Sequence, residues 1–229
     1  MGHRHEEVEP EEKIEPGPNP AQSLANKFLD DSIFSRFDQG TTRDGFISAD
    51  EIKSLLASKD EGDRAFIKET FGDPSKLKVL ADHMDSLKTM SFDWTIWSNP
   101  GASKSDFQVL AERSAAMKAE MDLAAKIAPT IKDNYRSITG YSSELEESRL
   151  RSASYNDRAY TAEERAVFKF ILDNKHQIME SSRTGLRTDY VLKGRDYLGN
   201  EPSRKLGWFM ERLDQKYELV KALNDGPTK

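Results

Sequence analysis

The sequence predicts an all-α domain with at most a short two-stranded β element. Apolar residues return every three or four positions along most of the chain, capping residues and prolines stand at the ends of those stripes, and only Phe92-x-Trp94-x-Ile96 alternates as a strand does.

The first element is a tail rather than a fold. Met1 to Pro20 combines repeated Glu with four of the nine prolines and almost no apolar side chains, too little surface to offset the entropy of ordering. It reads as a disordered acidic tail or a cloning remnant bearing His3 and His5, and it lacks the apolar centre of a secretory signal. Residues 21–100 are expected to form one helical region and residues 101–225 a second, divided near Ser98–Ser105, with one continuous helical domain as the alternative. Leu77, Leu80, Met84 and Leu87 make the first clear stripe, preceded by Asp73-Pro74 as a cap with proline in the first turn. A long helix from about Ser105 carries Leu110, Met117, Met121 and Ala124 and is expected to close at Pro129. Val167, Ile171, Asn174 and Ile178 form the next stripe. Ser203 caps a last helix with Leu206, Phe209, Leu213, Tyr217 and Val220, and Gly140 and Gly199 stand where helices end.

Composition removes several classes of function. The chain has no cysteine, which excludes disulfides, thiol catalysis and Cys-ligated zinc and fits export through an unfolded state by a non-Sec route or, equally, a cytoplasmic protein. Formal net charge is -6, and Met1 to Gln22, with six Glu against Arg4 and Lys13, supplies -4 of it. The remainder is nearly neutral, with no basic footprint for nucleic acid and no apolar run long enough for a transmembrane segment. His83 and His176 stand apart, no phosphate loop is present, and Ser75-Lys76-Leu77-Lys78 is a pattern common in charged helices.

One stretch carries chemistry. In IFSRFDQGTTRDGFISADEIKSLL, Ile33 to Leu56, an acidic residue follows a Phe34/Phe37 pair, Asp44-Gly45 follows, and Glu51 opens another apolar helix. Calcium takes six to eight hard oxygens, and a short loop supplies them when carboxylates recur, glycine turns the chain and a Glu closes the shell. The candidate ligands are Asp38, Thr42, Asp44, the Phe46 carbonyl, Ser48 and Glu51, with Ile47 as the apolar residue facing a partner loop. This pattern resembles one hand of the EF-hand superfamily, the calmodulin-like kind, over about 25 residues. The resemblance implies a helix-loop-helix and weak calcium binding, on the order of 10⁻⁵ to 10⁻³ M. The loop from Asp38 to Glu51 has fourteen residues, two more than the standard hand, so Asp38 can join the site only if the additional residues bulge outward. Arg43 brings a positive charge to the ring. Metal-free, Ser48-x-x-Glu51 is a capping box and Asp44-Gly45 a turn. Both readings stay open on the sequence.

A degenerate second loop repeats the spacing. Asp157, Tyr160, Thr161 and Glu164 lie 113 residues after Asp44, Ile47, Ser48 and Glu51. Arg158 replaces the glycine, and Ala153 and Tyr155 replace the early carboxylates, so Ala153 to Glu164 is expected to be structural and to pair with the first loop through Tyr160 beside Ile47.

Long-looped hands of this kind, with Phe170-Ile171-Leu172-Asp173-Asn174 as a later motif, are similar to repeats of type III secreted translocators of the NolX and HrpF kind. That resemblance implies a secreted effector or translocator-associated protein with a protein partner and no catalytic site. Two other functions are a helical scaffold in which the hand is vestigial and a metal-triggered self-processing module: Gly72-Asp73-Pro74 resembles the cleavage site of calcium-triggered exported proteins, where the Asp carboxylate attacks its own carbonyl carbon.

Overall fold

The computed structural model describes residues 19–39, 43–91, 101–140, 142, 144–184, 187–193 and 204–225. Within them the chain forms α1 (Pro20–Lys27), α2 (Asp31–Phe37), α3 (Ala49–Leu56), α4 (Glu61–Phe71), α5 (Ser75–Asp82), α6 (Met84–Leu87), α7 (Lys104–Arg113) and α8 (Met117–Thr139). There follow β1 (Glu144–Glu146), α9 (Glu147–Tyr155), α10 (Ala162–Asp173), α11 (Lys175–Ile178), β2 (Glu180–Thr184), β3 (Arg187–Lys193) and α12 (Arg204–Asp225). The expected all-α character holds. The sheet has three antiparallel strands in the order β1-β3-β2, one more than expected, because the charged segment Glu144–Glu146 pairs with Val191–Lys193. The alternating Phe92-to-Ile96 stretch, Gly199 and Ser203 lie outside the described residues.

Local signals account for several helix starts. Asp30 accepts from the Ser32 and Ile33 amides, and Asp60 accepts from Asp63. Thr161 and Glu164 form a reciprocal capping box: Thr161 Oγ1 accepts from the Glu164 amide, and Glu164 Oε2 accepts from the Thr161 amide. Those bonds satisfy donors that the first turn leaves open. Thr161→Ala is expected to cost about 1 kcal/mol, lowering the thermal midpoint by about 2–4 °C in a calorimetric scan.

The helix expected from Ser105 to Pro129 is instead two. The chain turns at Ser114–Ala116, and α8 runs through Pro129 to Thr139, ending at Gly140 with φ +64°. Proline removes one backbone donor and crowds the carbonyl of Ala125, at a cost of about 3 kcal/mol. The stripe Ile127, Ile131, Tyr135 and Ile138 continues across it and is buried. At about 1.5–3 kcal/mol for each large apolar side chain, that burial outweighs the defect.

One apolar cluster runs through both sequence regions. Phe28 is its first hub: it stacks on Phe107 at 4.3 Å and meets Phe37 at 5.1 Å and Phe71 at 5.5 Å, tying α1 to α2, α4 and α7. Helix α12 packs against α1, α5, α6, α8 and α11. Its Leu206, Phe209, Leu213, Leu219, Val220 and Leu223 are buried. No helix among the described residues is long and apolar enough to cross a membrane.

Candidate metal centre

Helix α2 delivers its last turn to the candidate loop with Phe34 and Phe37 buried, so the chain leaves the core at Asp38. Asp38 is itself 6% exposed. Its amide donates to the Phe34 carbonyl, and its Oδ2 accepts from the Gly45 amide at 3.1 Å. Its Oδ1 is buried and accepts no hydrogen bond among the described residues. A buried carboxylate oxygen without a donor is costly, and a cation is one of the few groups that would relieve it.

The Asp38–Gly45 bond returns Asp38 to the Asp44-Gly45 turn across seven residues, as the lengthened loop requires. Gly45 has φ +81°, a conformation that side chains rarely adopt, and Asp44 Oδ1 accepts from the Phe46 amide at 3.0 Å to hold the turn. Asp44 and Arg43 are exposed, and Phe46 is half-buried. Thr42 lies outside the described residues.

The far end of the loop is the capping box expected from its sequence. Ser48 donates through both its amide and its hydroxyl to Glu51 Oε2, each at 2.8 Å, while Ser48 Oγ accepts from the Glu51 amide at 3.2 Å. The structure therefore brings Asp38 to Gly45 and Ser48 to Glu51. Among the described residues it gathers no group of three or more carboxylate or histidine side chains ready for a metal. The residues fit a hard cation in kind; Glu51 would exchange its capping bonds for metal ligation.

The proposed Ile47–Tyr160 pairing is not formed. The Ile47 amide donates to the Ala102 carbonyl and the Ala102 amide to the Ile47 carbonyl, both at 2.8 Å, as an antiparallel bridge that occupies both backbone groups of Ile47. Tyr160 instead sets its ring edge-on against Phe168 at 5.2 Å, with its hydroxyl 3.3 Å from Ser137. Its Thr161–Glu164 neighbours cap α10, which accounts for the repeated spacing without a second loop.

The partner of the first loop lies 55 residues on, a repeat that the sequence reading missed. Ser103 donates to Asp106 Oδ2 through its amide at 2.9 Å and its hydroxyl at 2.7 Å, as Ser48 does to Glu51. Asp106 is 2% exposed, and its Oδ1 accepts from the Ser91 amide at 2.9 Å. The same offset relates Phe37-Asp38 to Phe92-Asp93, Ile52 to Phe107 and Leu55 to Leu110 in sequence. That signal was available, but it is obscured because proline occupies position 100 where the first loop has Gly45, and Gly101 where it has Phe46.

At the other candidate site, Asp73 Oδ1 accepts from the Ser75 amide at 2.9 Å and Oδ2 from the Ser75 hydroxyl at 2.6 Å. These bonds hold its carboxyl below the usual carboxylate range and tie it to the start of α5. His176 Nδ1 lies 2.6 Å from the Tyr190 hydroxyl. No protein-family model, curated protein or solved structure matches the chain.

Proposed function

We propose that the protein is a non-enzymatic, calcium-responsive protein-interaction domain in which Asp38, Asp44 and Glu51, with the Phe46 carbonyl, Thr42 and Ser48, hold one weakly bound ion. The observation that carries the reading is the buried Asp38 Oδ1, which accepts no hydrogen bond among the described residues although its partner oxygen is bonded to Gly45. The ion supplies positive charge to that oxygen. Glu51 then leaves the Ser48 donors, and the first turn of α3 adjusts. The Ile47–Ala102 bridge carries that adjustment to Ser103 and α7. We place the domain among exported bacterial effectors or translocator-associated proteins on the motif resemblance alone, with a protein as its partner. The Ser75 bonds of Asp73 favour the capping role over self-processing.

Thermal unfolding with and without calcium tests the reading. At about a hundred-fold excess over the dissociation constant, binding to the folded state adds about 2.7 kcal/mol, a rise of roughly 5–10 °C for a chain of this size. Glu51→Gln is expected to remove most of that rise while leaving the calcium-free midpoint within a few degrees. An unchanged rise in Glu51→Gln would refute the assignment. A gel run after calcium incubation separates the alternative: two fragments meeting at Asp73-Pro74 would establish self-processing, and one intact band would oppose it.

A further inference from the structure

A second surface lies at the C-terminal end of α8. An open cleft of about 280 Å³ separates the last turns of α8 from α9, floored by Ile138 and Ala153, both nearly buried. Ser137, Arg149, Asn156 and Tyr160 are among the polar groups around that floor. We propose that this cleft binds a neutral saccharide, one sugar ring lying in the cleft beside Tyr155.

The chemistry favours that class over an apolar ligand. The Arg149 guanidinium donates through Nη1 to the Thr139 carbonyl at 2.6 Å, and its Nε lies 4.0 Å from the half-exposed Glu146 carboxylate. What the cleft presents is mixed. Asn156 accepts from the Ala159 amide through Oδ1, leaving its amide N–H groups as donors, and the Ser137 hydroxyl donates to the Asn134 carbonyl at 2.8 Å and lies 3.3 Å from the Tyr160 hydroxyl, which leaves the two hydroxyls chiefly as acceptors. A pyranose pairs hydroxyls that both donate and accept with an apolar face of C–H groups, the complement of a polar rim over an Ile and an Ala.

Tyr155 supplies the second observation. It is 77% exposed, the most exposed of the large hydrophobic residues among those described. At 100° per residue it stands about 20° from Ser148 on α9, at the lip of the face that lines the cleft. An aromatic ring left in solvent beside a small polar cleft is the arrangement on which a sugar face stacks.

Amide-resolved NMR titration of the full chain tests this with cellobiose, maltose and N,N′-diacetylchitobiose, and with inorganic phosphate in a separate arm. At least one sugar is expected to produce saturable shifts confined to residues 137–139 and 148–160. Tyr155→Ala, which removes an exposed ring, is expected to weaken that binding about ten-fold with the rest of the spectrum unchanged. The proposal is overturned if all three sugars leave the spectrum unmoved, if only phosphate shifts these amides, or if the Tyr155→Ala chain binds as the parent does.

Discussion

Gly101→Ala is expected to destabilise the protein by about 3–4 kcal/mol and to lower its thermal midpoint by roughly 10 °C. A Cβ on Gly101 would lie 2.1 Å from the Ile47 carbonyl oxygen, 2.3 Å from its carbon and 2.7 Å from the Ser48 nitrogen. All three are backbone atoms, so no side chain can swing aside. The chain must part at the Ile47–Ala102 bridge, losing two hydrogen bonds between residues that are completely buried. Each bond is worth about 1 kcal/mol when made, and more is lost when buried donors and acceptors are left open. Gly45 differs in kind: nothing lies within 4 Å of its Cβ position, and its positive φ is the constraint. Chemical denaturation of the Gly101→Ala chain checks the prediction, and a loss below 1 kcal/mol would show that the bridge does not hold the loop.

Lys216→Met is expected to move stability in the other direction and to change its pH dependence. Lys216 on α12 is 2% exposed. Burial lowers its pKa from 10.5 to about 6; Arg113 and Arg212 add repulsion, while Asp106 and Glu120 act the opposite way. Among the described residues, these charged groups act on the amine from α7, α8 and its own helix. The unfolded chain therefore binds a proton that the folded chain lacks between about pH 6 and 10.5. Stability from this group is full above 10.5 and falls as pH drops towards 6, by a factor of ten in the folding equilibrium per unit; below 6 it is constant. At pH 7 the cost is on the order of 5 kcal/mol. Methionine occupies similar volume without a charge, so the variant should gain up to that amount and lose the slope. Urea unfolding at pH 6.5, 8 and 9.5 reads both effects. Parallel pH profiles for parent and variant would contradict the assignment.

The sequence by itself determined what depends on neighbours a turn away. Ser48-x-x-Glu51 and Thr161-x-x-Glu164 became capping boxes because donor and acceptor are three residues apart in any helix start. Gly140 ended α8 because glycine tolerates the positive φ required there. The apolar stripes became helix faces because 3.6 residues make a turn. Asp38 was legible as a candidate ligand from its place after Phe34 and Phe37, but its two oxygens differ only in the fold, where Gly45 takes one and burial isolates the other. Tertiary structure alone decided that Ile47 pairs with Ala102 rather than Tyr160, that α8 passes through Pro129, and that Lys216 lies inside. None of these choices is recorded in a local pattern. The Ile47 bridge needs closure of a 55-residue span and the empty space at Gly101, the helix at Pro129 survives on burial against distant elements, and the lysine is enclosed by side chains from α7 and α8 that meet α12 only after the chain has folded.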